Sequence, residues 1–194
     1  PPTQKVWAGE GATPVVLVHT DWTWSDTDKY LGVKGGKARS SHAHMDAGSF
    51  VYDAYGVRWS MDIGRQDYAT LEVALKALGG NLWTYTQASL RWEVSRLNNF
   101  FHSTLTVNDS KHRVEGFATL EQTINTATEQ GGTFDLSPVL EDQVASAKRT
   151  VKIVDDKDLK VIDAIHARTD RSAKIRWTMA TPAVPTVEND RIVL

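Results

Sequence analysis

The chain has 194 residues, 41% of them apolar and 24% charged, a net charge of −2 and no cysteine. This is the balance of a globular domain. It excludes a basic surface drawn to nucleic acid, a disulfide framework and any thiolate metal site, and no run reaches the ~18 apolar residues of a membrane span.

The sequence begins Pro1-Pro2-Thr3-Gln4, with neither Met nor a visible signal peptide, so residues 1–194 read as one domain cut from a longer chain. In chain order, Val15 to Val18 is a buried strand. Trp22 and Trp24 alternate with polar residues and face one side of an extended segment, and the seven tryptophans suit either a β core or a sugar-binding surface. Ser49 to Ala54 and Val57 to Asp62 flank Tyr55-Gly56 and predict a hairpin, with Val57, Trp59 and Met61 on one face and Arg58, Ser60 and Asp62 on the other. Leu71, Leu75 and Leu78, followed by Gly79-Gly80, predict one short helix over Tyr68 to Leu78. Further strands are expected at Ser103–Asn108, His112–Leu120, Lys148–Val154, Leu159–Ala167 and Ala173–Ala180, with a turn at Asp155–Asp158. Strands without regular strand–helix alternation predict an all-β, two-layer antiparallel sandwich with at most one short helix.

The stretch Ser41-His42-Ala43-His44-Met45-Asp46-Ala47-Gly48 carries the chemistry. His42 and His44 stand at i, i+2, and imidazole is a common metal ligand. Asp62 and His102 are further candidates. Two imidazoles and a carboxylate suit Zn²⁺ with an open position; equally, Asp62 reads as a turn cap and His102 as an edge histidine.

The segments Leu31-Gly32-Val33-Lys34-Gly35-Gly36, Ser41 to Phe50 and Gly56 to Gly64, followed by Arg91-Trp92 and His102-Ser103-Thr104-Leu105, resemble the signature of heparinase II/III-like proteins. The resemblance runs from about Val15 to Val107. It implies a sandwich domain that follows an α/α-toroid domain in the same polypeptide, with the cleft between them. Such enzymes are lyases that cleave uronic-acid-containing polysaccharides, glycosaminoglycan or alginate, by β-elimination. By the same resemblance His42 is the catalytic histidine, and His44, Asp62 and His102 are the ligands of a zinc ion. A toroid tyrosine would complete the chemistry, so the fragment alone is expected to be inactive. A bacterial periplasmic or secreted location is implied as well. Where many relatives carry Asn after the last histidine, this chain has Ser103.

Elimination removes the proton beside a carboxylate, and donors set against the developing charge lower that barrier by about 3–4 kcal/mol each. His42 suits such donation or proton transfer. Strand geometry would put His42 and His44 on one side, whereas two separate roles require a loop. Candidate contacts to an anionic oligosaccharide are Arg58, Arg65, Arg91 and Arg96. Lys34, Lys37 and Arg39 read as solvated loop charge, Asp46 as a group orienting the loop, and His19, His112 and His166 have no evident partners. A metallo-β-lactamase-like site is disfavoured by Ala47, which stands where a further histidine is usual. The main alternative is a non-catalytic carbohydrate-binding or structural sandwich with a bound metal.

Overall fold

The computed structural model describes residues 2–194. Five strands, β1 (Val6–Gly9), β2 (Val15–His19), β3 (Tyr30–Lys34), β4 (Phe50–Ala54) and β5 (Val57–Ser60), form an antiparallel sheet in chain order. Its register is dictated by alternation. Val16 pairs with Val33, Val33 with Phe50, Val18 with Leu31 and Leu31 with Tyr52, so one face is continuously apolar and buried. Leu17, Gly32 and Val51 pair across the opposite face.

After α1 (Tyr68–Ala77) and β6 (Leu105–Val107), a second antiparallel sheet follows in the order β7 (Thr119–Asn125), β8 (Glu129–Asp135), β9 (Ser146–Val154) and β10 (Asp158–His166). Phe134, Ala147, Val151 and Ile153 of this sheet meet the inner residues of the first sheet in one core cluster. Two short pairs complete the chain: β6 with β11 (Ile175–Trp177), and β12 (Thr186–Glu188) with β13 (Arg191–Val193). The molecule is the expected two-layer β-sandwich, with one α-helix among the described residues. No helix among the described residues is long and apolar enough to cross a membrane.

Both predicted turns form. Tyr55 and Gly56 have φ of 55° and 73°, and Asp155 and Asp156 have φ of 53° and 50°, the double left-handed pair of a two-residue hairpin. The helix begins where Asp67 accepts the Thr70 N–H at 2.8 Å, and buries Leu71 and Leu75.

One expected strand does not form as predicted, and one hairpin forms that the sequence does not announce. His112–Leu120 is not a strand until Thr119, because its amides are spent elsewhere: His112 N–H donates to Asn99, Val114 N–H to Gln87 and Arg113 N–H to the Val139 carbonyl. The β7–β8 hairpin, conversely, has little sequence signal, since β7 reads Thr-Leu-Glu-Gln-Thr-Ile-Asn and β8 contains Gly131-Gly132. Those glycines have a packing reason. A Cβ on Gly131 would lie 2.1 Å from the Val151 carbonyl, and one on Gly132 2.8 Å from Val16 of the facing sheet.

A second, smaller core of Ala38, Met45, Leu71, Leu75, Leu82, Trp92, Leu97 and Val114 lies beneath the 38–45 loop. It joins α1 and the 90–93 turn to the histidine-bearing segment, and so positions the site.

Candidate active site

Residues 41–49 run as an irregular loop between β3 and β4. His42 has φ 63°, a left-handed conformation rare for a residue with a Cβ. That turn separates the two histidines: His42 goes to one aromatic group and His44 to another. The loop geometry required for two separate roles is therefore present.

The His42 ring stacks on Tyr68 at 5.3 Å and meets Trp83 edge-on at 5.3 Å. Tyr68 sits in the first turn of α1, so the helix delivers one wall of the histidine's surroundings. The His42 N–H donates to Tyr85 Oη at 3.1 Å. The imidazole remains exposed to solvent.

His44 turns inward and lies 5.5 Å from the His102 ring. Burial lowers its pKa, against the opposing pull of Asp46, so its imidazole is neutral at neutral pH. His102 is fully buried. Its Nδ1 stands 2.6 Å from Asp62 Oδ2, and its Nε2–H donates to the Arg96 carbonyl at 3.1 Å. Burial alone would raise the Asp62 pKa; the His102 hydrogen bond and charge, with the Gly64 N–H, overcome it and hold the carboxyl below its usual range.

The His102 geometry bears on metal binding. Both ring nitrogens face acceptors, a carbonyl and a carboxylate, so both contacts are favourable only if the ring carries two protons or if a cation takes the place of one. A metal-bound histidine characteristically gives its other N–H to a carbonyl, as His102 does. The donor chemistry of His44, Asp62 and His102 thus fits a divalent cation, with Asp62 and His102 in contact and His44 beside them. Among the described residues no three His, Asp or Glu side chains stand as a ready-made metal cage.

The loop is pinned from several sides. Arg91 is fully buried and donates to the carbonyls of Leu82 and Ala43, both at 2.8 Å, while its guanidinium lies over the rings of Tyr85 and Trp92. Ala43 is the residue between the two histidines, so Arg91 positions them both. Met45 N–H donates to Leu97 O, and Thr104 Oγ1 to Ala47 O at 2.6 Å. Buried Arg149 of β9 forks onto Asp163 of β10 and also donates to Gly48 O and Ser103 O. Nothing in the local sequence around Arg149 reveals this role; its partners are 46 and 101 residues away.

A shallow groove of about 290 Å³ runs past Lys34, Lys37, His42, His44, Asp46, Asp62 and Arg65. It continues into a recess edged by Arg39, Trp83 and Tyr85. Lys34 pairs with Asp46 and Arg39 with Glu115. Lys37 and Arg65 have no ion-pair partner among the described residues. Of the four arginines singled out from sequence, only Arg65 lines the groove. Arg96 holds the Ile63 carbonyl beside Asp62. Arg91 lies beneath the loop. Arg58 is far off on β5, forked onto Asp53 at 2.6 and 2.7 Å.

Two of the three histidines without evident sequence partners, His19 and His112, also find places. His19 Nδ1 lies 2.7 Å from Asp28, and His112 is sealed in the core with Nε2 on the Leu105 carbonyl at 2.8 Å.

The sequence matches the family Heparinase II/III-like, C-terminal over residues 12–193. The chain belongs to that family. Among solved structures, this heparinase II/III-like domain is similar to the heparan sulfate lyase HepC from Pedobacter heparinus, with a TM-score of 0.68 and 16% identity over 96% of this chain and 26% of that one. A mutant of the same lyase gives a TM-score of 0.67, also at 16% identity, over 96% of this chain and 26% of that chain. A heparinase III gives 0.58 at 15% identity, over 84% of this chain and 22% of the other. At these identities the likeness is one of fold. The chain spans about a quarter of the length of these proteins. Comparison with curated protein sequences gives no match.

Proposed function

We propose that this domain is the C-terminal sandwich of a bacterial, periplasmic or secreted polysaccharide lyase, in which it forms one wall of the cleft. A toroid domain of the same polypeptide supplies the other wall. The observation that carries this reading is the division of the loop: His42 is exposed at a groove where Lys37 and Arg65 have no ion-pair partner among the described residues, while His44 and Asp62 edge the same groove with buried His102 behind them.

The groove's small volume lies at the foot of the range for small-molecule sites, about 300–1,000 Å³, as one wall of a larger cleft should. Lys37 and Arg65 meet the carboxylate of a uronic acid, and their charge makes the adjacent C–H more acidic. His42 donates to the developing negative charge or moves the abstracted proton. Its backbone N–H on Tyr85 and its ring against Tyr68 and Trp83 restrict where the imidazole points. His44, Asp62 and His102 would hold Zn²⁺, which when bound supplies positive charge that braces the loop behind His42.

The test is made on the full-length protein with heparan sulfate, heparin and alginate, following the ultraviolet absorbance of the unsaturated product. The expected result is cleavage of at least one polymer, with His42→Ala lowering kcat about 100-fold or more while polymer binding persists. Elemental analysis should find about one zinc per chain, lost in both His44→Ala and His102→Ala. Wild-type activity in His42→Ala sinks the catalytic assignment. No bound metal after zinc loading sinks the metal site.

A further inference from the structure

A second recess lies at the other end of the five-stranded sheet. Lys34 of the groove pairs with Val15, whereas His19 and Tyr30 close the opposite end of the same two strands, roughly 13 Å away at about 3.3 Å per residue. This recess is larger, about 600 Å³, and is lined by His19, Trp22, Trp24, Asp26, Tyr30 and Arg58, among others.

Its walls are aromatic and its presentation is unusual. Trp24 is 76% exposed, an expensive position for an indole without a partner. Trp22 and Trp24 have φ of 57° and 58°, a left-handed conformation that is strained for a residue with a Cβ. Asp21 holds the loop in that shape by accepting from Thr23 N–H at 2.8 Å and Thr27 Oγ1 at 2.9 Å, and a ladder of hydroxyls links Thr23, Ser25 and Thr27. Trp22 Nε1 is tied to the Gln4 carbonyl, whereas Trp24 Nε1 has no partner among the described residues.

Behind the indoles sits a buried polar group. His19 is 4% exposed and packs against Trp22 at 4.1 Å and Trp24 at 4.6 Å. Its Nδ1–H donates to Asp28, which also accepts from Asp21 N–H and Thr20 Oγ1. Nε2 lies on the far side of the ring and makes no hydrogen bond to any described residue. Tyr30 Oη is likewise without one.

Charge selects the occupant. Arg58 is committed to Asp53 and His19 to Asp28, while Asp26 has no ion-pair partner among the described residues. Among the described residues the lining offers one free carboxylate and no free cation, and the nearby Lys29 is buried with its ammonium over the Tyr55 ring; this balance disfavours uronate or sulfated sugars. An indole face with scattered hydroxyl donors and acceptors matches the apolar face and polar rim of a pyranose. Leu17, which lines this recess, also lines a shallow trough with Gly32, Val51, Lys34 and Asp62 across the sheet's outer face, so a chain of sugar units has room to extend.

We propose that this recess is a second carbohydrate subsite, specific for a neutral pyranose unit, a hexose or an N-acetylhexosamine. Trp24 stacks on the sugar, and His19 Nε2 and Asp26 hydrogen-bond its hydroxyls. The assignment does not rest on the lyase reading.

The test is calorimetry and saturation-transfer NMR on this chain, with trisaccharides of glucose, N-acetylglucosamine and galacturonate. The expected result is saturable binding of at least one neutral trisaccharide, weakened at least tenfold by Trp24→Ala and unchanged by His42→Ala. Trp24 lies at the surface, so its replacement leaves the fold intact. His19→Gln should weaken binding as well. Galacturonate binding, where found, should not respond to Trp24→Ala. The proposal is overturned if no neutral trisaccharide binds up to about 10 mM, if Trp24→Ala binds as the native chain does, or if His42→Ala removes the binding.

Discussion

His112 shows how one residue can carry a measurable consequence of burial. Its ring is enclosed in the core with one nitrogen on the Leu105 carbonyl and the other unsatisfied, and burial pushes its pKa down to about 4. The unfolded chain takes up a proton near pH 6.5 that the folded chain refuses until about pH 4. The His112 contribution to stability is therefore complete above pH 6.5, falls as the pH drops from 6.5 to 4, and changes no further below. The loss amounts to about 3 kcal/mol at 1.36 kcal/mol per unit. Urea unfolding across that range should show the decline, and His112→Gln should flatten it; an equal slope in the variant would place the effect elsewhere. Asp62 works in the opposite range. Its depressed pKa contributes stability at neutral pH that disappears only as the pH falls below its usual value of 3.8.

At the scale of elements, α1 and the turn after it act as a shelf for the histidine loop. Leu71 and Leu75 belong to the small core that also holds Met45, Leu82, Trp92 and Leu97, whereas the main core belongs to the two sheets. Damage to the shelf should thus stay local. Leu75→Ala should cost about 2–5 kcal/mol of local stability. Hydrogen exchange should accelerate in α1 and in residues 41–46, with the sandwich strands still protected. Equal deprotection of β8 and β9 would show that the two cores unfold together. The helix matters to the candidate site because it carries Tyr68 onto His42.

For the whole molecule, Arg149 is the cross-link. It is fully buried, forks onto Asp163 within its own sheet at 2.7 and 2.9 Å, and reaches out to the backbone of Gly48 and Ser103. These two carbonyls belong to the loop that follows His44 and to the residue after His102. One guanidinium therefore fixes the second sheet against both arms of the candidate site. Arg149→Ala leaves Asp163 and two carbonyls without their partner and should cost about 3–5 kcal/mol. Arg149→Met combined with Asp163→Leu should recover part of that loss, because removing both charges avoids an unpaired one. Additive losses in a double-mutant cycle would refute the coupling.

The sandwich class, the hairpin at Tyr55-Gly56, the turn at Asp155-Asp156 and the helix over residues 68–77 were all determined by the sequence itself. They rest on interactions between near neighbours: alternation of apolar residues, left-handed turn positions, and leucines one turn apart. The spacing His42-x-His44 was equally legible, as was the resemblance that singled out Asp62 and His102. What the tertiary structure decided is everything that depends on distant segments meeting. The β7–β8 hairpin forms because its glycines let the sheets approach, although its own pattern is weak. Arg91 and Arg58 become internal ties, while Arg65 and Lys37 remain in the groove. His19 acquires Asp28 and two indoles only when the 20–30 loop folds back over β2. Hydrogen-bond partners across 46 or 101 residues leave no mark in local periodicity, since a guanidinium can be satisfied by any carbonyl the fold brings within about 3 Å.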